Sequence, residues 1–181
     1  MPTTIETPRL VLRPLAESDL DDLVRGLNNF NVSKMTARVP HPYGADDARA
    51  FLALCQAEAE GALRLSIVRR EAPRRVIGGV GYEAVDEAGA AELGYWLAEP
   101  EWGQGFASEA AAAVRDHGFR RDAFDRLIAR YRTDNPASGR VLAKLGFTVT
   151  GTTTCGSVAA GDNPATTVAL TREAWRSRQE A

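Results

Sequence analysis

Leu10, Leu12 and Leu15, with Arg9 and Arg13 interleaved, predict a strand of about seven residues ending at Pro14. The period then lengthens. Leu20, Leu23, Val24 and Leu27 share one helical face, Ser18 precedes them as a candidate N-cap, and Asn28-Asn29 stops the helix. Residues 30–44 carry no period and are broken by Pro40, Pro42 and Gly44, which predicts an irregular loop long enough to border a functional site. A second helix is expected from Asp46 to Glu60, with Phe51, Leu52, Leu54 and Cys55 inward and Gly61 as its stop. Leu63–Arg69 and Val76–Val85 read as strands joined by a hairpin turn at 70–75. Gly78, Gly79 and Gly81 mark a bulge or close backbone packing in the second.

The strongest local pattern is residues 92–109. Glu92-Leu93-Gly94-Tyr95-Trp96-Leu97 has strand composition, a polar connection holding Pro100, Gly103 and Gly105 follows, and an alanine-rich helix opens at Phe106 or Ala107. That helix presents Ala110, Ala111, Val114 and Phe119 on one face. A strand at Leu127–Tyr131, a helix from Pro136 to Leu145 closed by Gly146, strands at Phe147–Thr152 and Thr166–Leu170, and a polar tail complete the chain. The order β-α-α-β-β-β-α-β-α-β-β predicts an α/β (α+β) domain spanning 1–181, a mixed, mostly antiparallel central sheet flanked by helices.

A strand running through a glycine-rich turn into a helix N-terminus is an anion seat. Unpaired N–H groups and the helix dipole favour phosphate there, and Gly103 and Gly105 let it reach bare backbone. No Gly-x4-Gly-Lys-Ser/Thr run exists, which removes a P-loop. Gly103-Gln104-Gly105 supplies two glycines of a dinucleotide fingerprint, but past mid-chain and without the acidic strand end that reading needs.

Composition narrows the classes further. Of 181 residues, 44% are hydrophobic and 25% charged, which suits a globular core, and a net charge of −2 gives no ground for a nucleic-acid or membrane surface. No signal-like apolar run opens the chain, and two cysteines, Cys55 and Cys155, make neither a disulfide framework nor a metal knuckle. A cytoplasmic protein without a bound metal is expected.

Trp102-Gly103-Gln104-Gly105-Phe106-Ala107-Ser108-Glu109-Ala110 resembles the acetyl-CoA signature of the GNAT superfamily, in the form common to Rim-type ribosomal-protein N-terminal acetyltransferases. Trp102 stands where the wider superfamily has Arg or Gln. Thr7-Pro8-Arg9-Leu10-Val11-Leu12-Arg13-Pro14, Glu92-Leu93-Gly94-Tyr95-Trp96, Asn135-Pro136-Ala137-Ser138 with Leu145-Gly146-Phe147, and the final Leu170–Trp175 resemble the same branch in the same order.

The resemblance implies a GNAT fold and direct attack of an amine on the thioester of acetyl-CoA. It places the pyrophosphate on the backbone of Gly103, Gln104, Gly105, Phe106 and Ala107 with help from Ser108. Trp102 would border the cofactor, and the pantetheine arm would lie beside Tyr95, Trp96 and Leu97. Glu92 is the candidate base, against a structural ion pair. Ser138 is the candidate acid for the departing thiolate, with Asn135 on the cofactor arm; helix capping accounts for both as well. The implied acceptor is a protein N-terminal amine. A small-molecule amine is the alternative, and a non-catalytic acyl-CoA-binding module the rival from another class. Dimers occur in this branch, so a homodimer is compatible with it.

Overall fold

The structure is a computed structural model that describes residues 3–57, 61–85, 89–121 and 123–180. In chain order its strands and helices are β1 (Ile5–Glu6), β2 (Leu10–Arg13), α1 (Leu20–Leu27), α2 (Phe30–Ser33), α3 (Ala45–Gln56), β3 (Leu63–Arg69), β4 (Ala72–Ala84), β5 (Ala90–Leu97), α4 (Phe106–Arg120), β6 (Arg126–Arg132), α5 (Pro136–Lys144), β7 (Thr148–Cys155), β8 (Asn163–Thr171) and α6 (Arg172–Gln179). The strands form one sheet in the order β1-β2-β3-β4-β5-β6-β8-β7. Every neighbouring pair is antiparallel except β5 with β6, which α4 joins as a crossover. The expected mixed sheet flanked by helices is the fold observed.

Two apolar layers cover the sheet. On one face Leu10, Leu12, Leu93 and Leu97 pack with Phe106, Ala110, Ala111 and Val114 of α4 and Leu142 of α5. On the other, Leu23 and Leu27 of α1 and Ala48 and Leu52 of α3 pack with Val68, Val76 and Trp96. The glycines of β4 make close approaches. A Cβ on Gly78 would stand 2.3 Å from the Trp96 carbonyl oxygen, and one on Gly79 would stand 2.6 Å from Trp96 Nε1.

Several boundaries differ from the sequence expectation, each for a local reason. Ser18 does not cap α1; it lies inside a one-turn 3-10 helix, Glu17–Asp19. Asp19 stands at the N-cap position of α1 without a side-chain capping bond, because its carboxylate turns back to accept from the Ala16 N–H at 2.8 Å and from both Arg13 Nη atoms at 2.7 and 2.8 Å. Helix α2 sits within the predicted irregular loop, a single turn capped by Asn29, whose side chain accepts from Asn31 N–H. Helix α3 ends at Gln56, and residues 58–60 of the expected helix lie outside the described residues. The β3–β4 hairpin is tighter than expected, since Arg69 already pairs with Ala72. Strands β7 and β8 are longer than predicted, reaching Cys155 and starting at Asn163.

The expected polar tail is largely helix α6. It is held by Trp175, which stacks on Phe119 with ring centroids 5.3 Å apart and donates its indole N–H to Asp116 at 2.8 Å. One buried anchor among seven polar or small residues gives no helical stripe to read in advance.

Candidate active site

Strands β5 and β6 run side by side for only three pairs, Ala90↔Arg126, Ala91↔Leu127 and Glu92↔Ile128. Beyond them β5 continues to Leu97 and β6 to Arg132 without pairing to each other. A split therefore opens in the middle of the sheet, and the β6-facing edge of β5 from Leu93 to Leu97 offers strand hydrogen-bonding groups to whatever enters it.

Alternation along β5 assigns its side chains to two faces. Leu93, Tyr95 and Leu97 share the face of α4 and α5; Glu92, Gly94 and Trp96 share the face of α1 and α3. Tyr95 spans to the first turn of α5, where its hydroxyl lies 2.8 Å from Ser138 Oγ and 3.3 Å from the Ser138 carbonyl oxygen. Burial pushes the Tyr95 hydroxyl up to about 12, partly offset by its bond to Ser138. Asn135 caps α5 by accepting from the Ser138 N–H at 3.2 Å, with Pro136 in the first helical position. The capping role raised for Asn135 is thus present, and the Ser138 hydroxyl remains directed to Tyr95.

Glu92 lies on the opposite face. Both its oxygens accept from Arg130 of β6, Oε1 from Nε at 2.9 Å and Oε2 from an Nη at 2.6 Å, while its side chain keeps 27% exposure. On the adjacent strand Glu83 stands in register with Glu92 and accepts from Arg38 and Arg64, both at 3.0 Å. Burial would raise the Glu83 carboxyl, but the two guanidinium groups outweigh it and hold it below the ordinary range. Above this face the Val158 N–H donates to the Ala37 carbonyl at 3.1 Å, joining the β7–β8 connection to the loop after α2.

The glycine-rich connection sits at the end of the split. Gly103 (φ +76°) and Gly105 (φ +82°) are both left-handed, and Gly105 occupies the N-cap of α4. A side chain there would be strained, and at Gly103 the Cβ direction is open space. Trp102 donates its indole N–H to the Leu97 carbonyl at 2.9 Å, fastening the connection to the end of β5. Gln104 donates to the Pro100 carbonyl at 3.2 Å. Phe106 is buried, while Ala107 and Ser108 form the first turn of α4 half-buried. The split with its unpaired strand edge and the bare helix N-terminus beside it fit an elongated ligand with an anionic group such as a diphosphate at one end.

Most expected site residues thus converge: Tyr95, Ser138 and Asn135 on one side of the split, Glu92 on the other, and residues 102–108 at its end. Trp96 does not bring its side chain to it, because the indole packs between α1 and β4, where Gly26 and Gly79 make room. Leu97 contributes core packing and its carbonyl. The sequence reading missed Arg130, which falls within the predicted strand Leu127–Tyr131 without an assigned role, and Arg9. The Arg9 guanidinium donates to the Gln104 carbonyl at 2.9 Å and pairs with Glu109 at 2.7 Å. Arg9 is marked by its place in an alternating strand and in the Thr7–Pro14 run, and neither pattern names a partner.

The sequence profile of the acetyltransferase (GNAT) domain family matches residues 9–148. An uncharacterized N-acetyltransferase, YoaA of Bacillus subtilis, is 32% identical over 154 residues, covering 79% of this chain and 81% of its own. The ribosomal-protein-serine acetyltransferase of Escherichia coli is 39% identical over 61 residues, 34% of each chain. Among solved structures, RimJ of Mycobacterium smegmatis in complex with CoA-disulfide has the same fold at a TM-score of 0.80. Its identity is 23%, and the likeness covers 95% of this chain and 88% of that one.

Proposed function

The chain belongs to the GNAT family of acetyltransferases, and from that premise we propose that this acetyl-CoA-dependent N-acetyltransferase acts on the N-terminal α-amine of a protein, as a member of the Rim-type branch. The observation that carries the choice of acceptor is the two-point pairing of Glu92 with Arg130. A carboxylate with both oxygens committed to a guanidinium must give up one of those hydrogen bonds before it can take a proton from an amine. It suits an amine that needs little help. An α-amine of pKa ~8 is roughly one-tenth neutral at pH 7, whereas a lysine at ~10.4 is neutral in fewer than about one molecule in a thousand. The partial match to a ribosomal-protein-serine acetyltransferase supports a protein as the acceptor.

In this reading the two faces of the split divide the chemistry. Acetyl-CoA supplies the activated acetyl group. Residues 103–107 hold the diphosphate by backbone N–H groups, and the free edge of β5 from Leu93 to Leu97 holds the arm as an added strand would. The acceptor amine enters from the face of Glu92, which takes its proton directly or through water. Ser138, hydrogen-bonded to Tyr95 on the other face, gives a proton to the leaving thiolate, and the N-terminus of α5 stabilises that negative charge.

A panel of N-terminal peptides, lysine-only peptides and small amines, assayed for release of free CoA, tests the proposal. Faster turnover of an N-terminal peptide than of every small amine is expected. A small amine that is the better substrate replaces the protein acceptor. Acetyl-CoA binding by calorimetry with no turnover on any amine leaves only the binding module.

A further inference from the structure

Arg9 ties the glycine-rich connection to the first turn of α4. Its Nη1 donates to the Gln104 carbonyl at 2.9 Å, its Nε to Glu109 Oε2 at 2.7 Å and its backbone N–H to Glu109 Oε1 at 2.9 Å. The guanidinium carbon lies 4.6 Å from the centroid of Phe106, the first residue of α4. A Cβ on Gly105 would sit 3.3 Å from its other Nη. Thr7 completes the arrangement by donating its hydroxyl to Glu109 Oε1 at 2.7 Å.

The geometry of the peptide unit gives these contacts a consequence. In a trans peptide the C=O and the following N–H point in opposite directions. A Gln104 carbonyl drawn to Arg9 therefore turns the Gly105 N–H away from Arg9. Because Gly105 follows Gln104, this peptide can rotate without the resistance of a following side chain. Left free to rotate, it would present a carbonyl oxygen where an anion needs a donor. Glu109 poses a second difficulty, as a carboxylate in the first turn of the same helix. Burial would raise it, but Thr7, the Arg9 N–H and the Arg9 guanidinium together hold it ionised below the usual range. Its charge is thereby neutralised within the strand–helix contact.

We propose that Arg9 is a positioning residue for the donor's diphosphate: it fixes the 104–105 peptide so that the Gly105 N–H faces the ligand, and it cancels the Glu109 charge beside that seat. The inference rests on the acetyl-CoA-dependent reading. It assigns Arg9 no contact with the reacting atoms, so turnover at saturation is untouched by its role.

The test compares acetyl-CoA with S-acetylpantetheine, which keeps the thioester and the arm but lacks the diphosphate. In Arg9→Ala, KM for acetyl-CoA is expected to rise by about tenfold or more with kcat within about twofold, while kcat/KM for S-acetylpantetheine stays at the wild-type value. Arg9→Lys, which can still donate to the Gln104 carbonyl, is expected to recover part of the lost affinity. Equal loss on both donors would make Arg9 a general support of the fold and overturn the proposal. So would an unchanged KM for acetyl-CoA in Arg9→Ala. A wild-type protein that fails to bind acetyl-CoA removes the underlying reading, an outcome distinct from wild-type binding left unaltered by the substitution.

Discussion

The Tyr95 hydroxyl and Ser138 Oγ lie 2.8 Å apart, one on the strand that borders the split and the other in the first turn of the helix facing it. The pair forms a two-hydroxyl unit on the side of the sheet opposite Glu92. With Tyr95 pushed up to about 12, its phenol stays protonated across the working range and keeps the serine hydroxyl supplied with a donor. Ser138→Ala should lower kcat by roughly 10- to 100-fold while leaving the dissociation constant for acetyl-CoA within about threefold. Rapid-mix turnover and calorimetry on the same preparation check this. A loss of affinity with kcat preserved would reduce Ser138 to a helix-cap residue.

The raised Tyr95 value also sets a pH expectation. The protonated phenol persists below its ordinary ~10 and is lost only as pH climbs through about 12. The kcat profile should therefore show no alkaline limb below about pH 10, and kcat/KM should rise through about pH 8 as the acceptor α-amine loses its proton. A downward break near pH 9 would contradict the protonated pair.

Glu92→Gln removes the charge but keeps the shape, leaving Arg130 on a neutral partner. If the acceptor is an α-amine, kcat/KM at pH 9 should fall by less than about tenfold, with a larger deficit at pH 6.5. Steady-state rates on one N-terminal peptide at the two pH values decide it. An abolished rate at pH 9 would make Glu92 indispensable to chemistry, and the acceptor argument would fail with it.

Gly105→Val forces a β-branched residue into φ +82° at the N-cap of α4. The strain is on the order of 1–2 kcal/mol or more, so only a modest loss of stability is expected. Acetyl-CoA binding should disappear in calorimetry because the backbone seat is both shifted and covered. Unchanged affinity would dissociate the connection from the donor.

Asp19 contributes to stability rather than to the site. It is 1% exposed; burial alone would raise its carboxyl, yet Arg13 and the Ala16 N–H bring it below the ordinary value. Its stabilisation is thus complete above about pH 4 and lost as pH falls through the lowered folded value. Asp19→Asn should cost about 2–3 kcal/mol in urea unfolding at pH 7, because the Arg13 guanidinium is left without its charge partner. Near pH 2 the two proteins should converge. A gap that persists there would show packing, not ionisation, to be the cause.

Much of this site could be read in the sequence where a residue's role is set by its own neighbours. Gly103 and Gly105 announce left-handed backbone before a helix, and Asn135-Pro136 announces a capped helix start, because both are local requirements. Tyr95 meeting Ser138 was not readable, since it depends on how far α5 stands from β5. Glu92 meeting Arg130 depends on a parallel register between strands separated by all of α4. The start of α1 was placed one residue early, at Ser18, because the 3-10 turn before it is held by Asp19 and Arg13, and Arg13 lies on the preceding strand.

The three-pair seam between β5 and β6 has a mechanical consequence. It divides the sheet into a five-strand leaf and a three-strand leaf, joined at one end by backbone hydrogen bonds and elsewhere mainly through helices. A strand-like ligand lying in the opening stitches the leaves together along the length the protein leaves unsewn. If the donor lies there as proposed, its binding acts on the whole sheet as a staple does, stabilising the native state by mass action and slowing exchange of amides on both leaves together.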